Sequence, residues 1–212
     1  MSEKQPAMLQ QTRMLPNRIV AIFLLCFSAA AAGITECDRQ AGHGLDPDGV
    51  VAGVSRSDMD LAVAEKACRE AVRDYPAHAR SNYQLGRVLY YGGRGEDALP
   101  YLTVAADAGY PQALFVLGYV QTIEDQLPIN YYAAASLWQR SAALDHPWTA
   151  VYLPWEYLKG TFSKCDLTLS DADIQRFEKL ALESIPYGDS EGRIEALQAL
   201  IKAHMESRSG IE

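Results

Sequence analysis

Four histidines, four cysteines and a scatter of carboxylates are the side chains of this 212-residue chain that could do chemistry. Their spacing organises little of it. His43, His78, His146 and His204 stand alone, with no H-x-x-x-H or H-E-x-x-H pair to set two imidazoles around a zinc ion. His146 precedes Pro147 just as Tyr75 precedes Pro76 and Tyr110 precedes Pro111, so packing accounts for it better than ligation. Asp166 and Asp171 lie near Asp173, but no EF-hand ladder of calcium ligands follows, and capping of a helix at Ser170 is the better account. Gly92-Gly93-Arg94-Gly95 falls between helical stretches and not after a strand, so it reads as a turn and not as a phosphate cradle. No G-x-S-x-G nucleophile elbow occurs. The expectation is a non-enzymatic chain without catalytic residues, metal or cofactor.

The cysteines speak about compartment. Cys26 lies in an apolar run, 19–27, preceded by Arg13 and Arg18 and followed by Ser28 and four alanines, 29–32. That order is a secretory signal peptide spanning 1–32, with cleavage expected before Gly33. From 19 to 33 is 15 residues, short of the about 20 that a membrane span needs. An uncleaved membrane anchor is the alternative. Export, to the periplasm or outside the cell, makes a disulfide expected. Cys37 lies in a loose Gly- and Asp-rich segment and Cys68 in the first clear helix, so a Cys37–Cys68 bridge would pin the one to the other. Cys165 is then odd, either a partly buried free thiol or an intermolecular link.

Nineteen basic and 27 acidic residues give a net charge of −8. Residues 1–32 hold Lys4, Arg13 and Arg18 against Glu3, so the remainder carries 16 basic and 26 acidic side chains, net −10. An acidic chain with no basic cluster argues against nucleic acid and against an anionic membrane surface as partner.

The rest of the pattern is helical. Residues 33–56 carry Gly42, Gly44, Gly49 and Gly53 with Pro47, and should be loop with one short turn of helix. Helical patterning begins at Ser57, with Leu61, Ala64, Ala67, Cys68, Ala71 and Val72 as one apolar stripe that stops before Pro76. Further helices are expected over 78–91, 96–108 with Pro100 in its first turn, 111–122, 130–144, 147–158, 170–185 and 191–205. A turn is expected at 186–190.

These helices repeat. Tyr75-Pro76, Tyr110-Pro111 and His146-Pro147 recur 35 and 36 residues apart, and Leu85-Gly86 and Leu117-Gly118 recur 32 apart. A period in the thirties marks helix pairs that stack because none buries its apolar face alone. Small residues at recurring inward positions let helices approach, and Leu102 and Trp138 fill the gaps.

The chain thus resembles the tetratricopeptide-like superfamily, most closely its SEL-one-like repeats. Leu85, Gly86 and Leu89 match the first-helix positions, Ala98, Leu102 and Ala105 the second-helix positions, and 109–113 the hinge between units. The next unit keeps Ala113, Leu117, Gly118, Ala134, Trp138, Ser141, Ala142 and Ala150, but residues 123–128 replace the glycine-rich turn. Pro154-Trp155 stands where Leu-Gly is expected in the last. The resemblance implies an all-α fold, a short α-solenoid of antiparallel helix pairs over 57–160, with a divergent repeat and capping helices over 161–212. It implies a protein–protein adaptor or scaffold, with no cofactor. On its register, Arg80, Tyr83, Arg87 and Tyr90 lie on the concave face of one unit and Phe115 and Tyr119 on that of the next. A membrane-tethered accessory domain and a cell-envelope hydrolase on a helical scaffold are the alternatives. Exported bacterial proteins of this kind also show a Cys-Asp near the mature start, here Cys37-Asp38, and a second Cys in the first helix.

Overall fold

Side-chain caps at Thr35, Asp60, Asn130, His146 and Ser170 set where five of the helices begin. The computed structural model describes residues 33–185 and 192–209; the expected signal peptide and the turn at 186–190 lie outside the described residues. The chain divides into two units, Met1–Ala30 and Ala31–Glu212, and the described residues all belong to the second. Among them nine helices form and no strand: α1 (Glu36–Ala41), α2 (Leu61–Asp74), α3 (Ala79–Tyr91), α4 (Gly95–Asp107), α5 (Pro111–Val120), α6 (Tyr131–Ala142), α7 (Pro147–Leu158), α8 (Asp171–Ser184) and α9 (Arg193–Ser209). The chain is all-α.

The one helical turn expected in the N-terminal segment is α1, where Thr35 and Asp38 form a reciprocal capping box. α2 starts at Leu61 and not at Ser57, because the Asp60 carboxylate accepts from the backbone N–H groups of Ala62 and Val63. Ser57 instead sits in a hydroxyl-bonded turn with Ser55. Pro100 is the sixth residue of α4 and so falls just past its first turn. Its missing N–H leaves the Glu96 carbonyl without the usual intrahelical donor. Ser170 caps α8 through a second capping box with Asp173, as the sequence predicts. α9 runs on to Ser209, beyond the predicted end at 205.

The breaks share one geometry. After α4, Gly109 at φ +81° sends its N–H to the Ala106 carbonyl, while Tyr110 N–H reaches Ala105. That is a Schellman cap, and it turns the chain into the Tyr-Pro that starts α5. The same pattern ends α6, where Asp145 and His146 bond back to Ala142 and Ser141. There the left-handed position is held by Asp145 at φ 51°, in the place a glycine would take without strain.

Packing explains the Leu-Gly repeat. A Cβ on Gly86 would lie 2.7 Å from the Leu102 side chain, and one on Gly118 would lie 2.5 Å from the Trp138 indole. Each glycine thus opens α3 and α5 to the large residue that α4 and α6 push onto their backbones. Helix contacts run mainly between neighbours in sequence, with α1 also on α3 and α7 also on α9. One group of core side chains spans α1 to α5 and a second spans α5 to α9, with Val116 and Tyr119 packed against both. Cys37 and Cys68 are disulfide-bonded and fully buried, which ties α1 to α2. Cys165 is a free, half-buried thiol packed against the second core group. No helix among the described residues is long and apolar enough to cross a membrane.

Candidate functional site

The helical period places Arg80, Tyr83, Gln84 and Arg87 on one face of α3, and Gln112, Phe115 and Tyr119 on the adjoining face of α5. The predicted residues are brought together, but the α3 part is not an open surface. Residues 33–56 fold across it. Arg80 donates through Nε to Asp38 Oδ1 at 2.7 Å, and Gln84 donates to the same oxygen at 2.9 Å. Arg87, 4% exposed, sends Nη1 to the carbonyls of Ala41 (3.0 Å) and Gly42 (2.8 Å) and Nη2 to that of Val54 (2.7 Å). Tyr83 is 1% exposed and lies tilted against the Tyr110 ring at 5.6 Å. Tyr90, at the edge, donates its hydroxyl to Asp125 at 2.7 Å and is buried too. The expected concave face is therefore filled at α3 by the chain's own N-terminal segment. The physical reason is plain: a guanidinium this deep must find acceptors, and the carbonyls at the end of α1 supply them.

Burial shapes the titration of this region. Burial works against charge on Asp38, but bonds from Arg80, the Thr35 backbone and Gln84 outweigh it and hold its carboxyl below the usual range. For Asp46, burial prevails over the bonds from Tyr110 and Asp48 and raises the pKa. Burial, assisted by the Arg87 charge, lowers His43 to about 4. Burial raises Tyr83 and Tyr110 well above the ordinary phenol value.

A polar contact that sequence reading missed joins the start of α7 to α5. His146 is fully buried. Its Nδ1 accepts from the Thr149 backbone N–H at 3.3 Å, so the proton sits on Nε2 and is donated to Gln112 Oε1 at 2.8 Å. Gln112 also acts on the buried Tyr83 phenol, easing slightly the rise that burial imposes. Burial, with a minor contribution from His43, pushes His146 down to about 3, so it is a neutral structural donor. The signal available in the sequence was positional: Gln112 and His146 both border a hinge proline.

Past α3 the face opens. Phe115 stacks at 5.0 Å on His146 and 5.5 Å from Tyr152; Tyr119 meets Tyr152 edge-on at 5.3 Å, and Tyr152 stacks on Trp155 at 6.2 Å. Phe115 is buried, whereas Tyr119, Trp148, Tyr152 and Trp155 are partly buried. Arg193 of α9 lies over the Tyr152 ring at 5.2 Å and Lys159 over Trp155 at 5.7 Å. α5 and α7 thus carry a ledge of rigid aromatic rings edged by cations.

Elsewhere the chemistry is sparse. Among the described residues no group of three His, Cys, Asp or Glu side chains converges as metal ligands would. Gly93, Arg94 and Gly95 line an open recess of about 360 Å³ with Glu96, Asp97 and Gln126. Its two carboxylates oppose a phosphate. No model of a known protein family matches this chain, and no curated protein matches it.

Proposed function

We propose that this protein is a non-enzymatic, exported adaptor that binds another protein through the face formed by α5 and α7, on a short α-solenoid of SEL-one-like helix pairs. The observation that carries the reading is the aromatic ledge of Tyr119, Trp148, Tyr152 and Trp155, partly buried and edged by Arg193 and Lys159. Rigid aromatics beside arginine anchor interfaces because they bury much area at little cost in rotamer entropy. The recurring Leu-Gly and Tyr-Pro hinges, with packing mainly between successive helices, support the solenoid. The buried disulfide supports export. Of the predicted face, Tyr119 belongs to this surface, with Phe115 buried behind it; Arg80, Tyr83, Arg87 and Tyr90 lie beneath other parts of the chain.

The test is affinity capture from an envelope fraction with the purified protein as bait. A Tyr119→Ala/Tyr152→Ala variant with an unchanged far-ultraviolet spectrum is expected to lose its specific captured protein. Retention of every captured protein would remove this surface from the account.

A further inference from the structure

The segment that covers α3 has two parts of different character. α1 is fixed covalently by the disulfide and electrostatically by Asp38 between Arg80 and Gln84. The following residues, 42–54, form a closed loop. Val54 N–H bonds the Gly42 carbonyl at 2.9 Å, so the ends meet. Within it, Asp46 N–H reaches His43, Gly49 N–H reaches Asp46, and Asp48 N–H reaches the Asp46 carboxylate. Such loops carry their own hydrogen bonds and can leave a surface as a unit.

This loop is held to the helices at few points. Between 44 and 53 Asp46 is the buried residue, while Leu45 and Val50 are 43% and 42% exposed. Among the described residues one hydrogen bond ties its tip to a helix, from the Tyr110 hydroxyl to Asp46 Oδ2 at 2.7 Å. The Arg87 bonds hold its base, not its tip. The charges of Arg87 and His146 act on His43, and those of Arg80, Asp48 and Tyr83 act on Asp46 beside its bond from Tyr110. The site under the tip therefore pairs a phenol donor with arginine charge in a chain that is otherwise acidic. Arg87 gives its bonds to neutral carbonyls, and among the described residues its Nε, like Gln84 Oε1, has no hydrogen-bond partner. Buried groups of that kind are rarely left unmet.

We propose that the tip of this loop, residues 43–53, is a displaceable lid, and that the Tyr110 hydroxyl beneath it receives a carboxylate-bearing segment of the partner protein in the place of Asp46. This rests on the protein-binding reading and extends its surface from α5 and α7 onto α3. The loop already shows the chemistry of the ligand: one Asp side chain on Tyr110, within a turn whose backbone satisfies itself. Because the ends of the loop touch, removing its tip leaves α1, the disulfide and the Arg87 bonds in place. The cost of burying the Asp46 charge favours release of the tip at neutral pH.

Hydrogen exchange on the intact, oxidised chain tests the lid. The Gly49 amide is expected to exchange at least roughly 100-fold faster than the amides of α3, as opening of a local unit requires. Equal protection would overturn the lid. A variant with 43–53 replaced by Gly-Gly tests the site. A labelled peptide of residues 42–54 is the probe. It should bind this variant and not the wild type, and its Asp46→Ala form should bind at least about tenfold more weakly, the scale of one charge-assisted bond. A folded variant that binds neither peptide overturns the site. If that variant does not fold, Tyr110→Phe in the full chain is used instead. It should speed exchange at Gly49 about tenfold and leave α3 unchanged; no change at Gly49 overturns the latch. Capture of a partner through Tyr119 and Tyr152 together with either negative result discards the lid and leaves the protein-binding reading standing.

Discussion

Substituting Gly118 by alanine puts the close approach of α5 and α6 to a quantitative test. A Cβ at this position lies 2.5 Å from both Cδ1 and Nε1 of Trp138. Ordinary carbon contact is about 3.5–4 Å, so the indole would have to retreat by roughly 1 Å. It has nowhere to go. Trp138 is fully buried, with Phe115, Tyr152 and Phe162 at 6.2, 6.0 and 5.7 Å, and its Nε1–H donates to the Phe115 carbonyl at 2.9 Å. Overpacking costs about 1–3 kcal/mol. Stretching the indole hydrogen bond strands a buried donor, at about 1–3 kcal/mol more. Against this, alanine improves helix propensity by about 1 kcal/mol. The net expectation is a destabilisation of about 3 kcal/mol. Urea unfolding followed by circular dichroism measures it; with a slope of about 2 kcal/mol/M, the midpoint should fall by about 1.5 M. A Gly118→Ala/Trp138→Leu variant, which removes the clash, should cost less than the two single changes summed. A Gly118→Ala protein as stable as the wild type would refute the account of why Leu-Gly recurs.

Asp145→Gly relieves the left-handed residue after α6 and should raise stability by about 1 kcal/mol, less any contribution from the exposed Arg176 pair, as thermal melting will show. Cys37→Ala/Cys68→Ala opens a bridge across 31 positions and should lower stability by about 2–4 kcal/mol in chemical unfolding, with faster exchange in α1. His146 is held near pKa 3 when folded against 6.5 when unfolded, so the unfolded chain takes up its proton first as pH falls. Its contribution is present above pH 6.5 and declines by about 2 kcal/mol between pH 7 and pH 5. Urea midpoints at the two pH values should show that loss, and His146→Phe should shrink it. Asp38 acts lower on the scale: its carboxyl is held below 3.8, so its stabilisation of α1 is kept above that pH and fades as pH falls further. Asp38→Asn should free α1 to exchange at neutral pH.

Helices were legible wherever their signals are local. Proline at the first helical position and glycine just past the last are read from neighbours in sequence, and Gly109-Tyr110-Pro111 behaves as such a hinge. The Ser170 cap and the Cys37–Cys68 bridge were legible for similar reasons, one from spacing and one from compartment. Ser57 and Asp60 are both good caps, and only backbone geometry chooses between them. The site was legible in half. Periodicity gathers Arg80, Tyr83 and Arg87 on one face, but nothing local says what lies over it. The Asp38–Arg80 and Asp46–Tyr110 contacts join residues 42 and 64 positions apart, and a glycine-rich segment reads as loop whether it hangs free or fills a groove. The His146–Gln112 bond spans 34 positions and escaped for the same reason.

Site-specific photo-crosslinking in the native compartment tests the binding face most directly. A photoreactive phenylalanine analogue at position 119 or 152, on the aromatic ledge, should give a discrete adduct with a second protein. The same analogue at position 132, where Tyr132 is 64% exposed, should give none. Adducts at 132 with none at 119 or 152 would contradict the claim that α5 and α7 carry the partner.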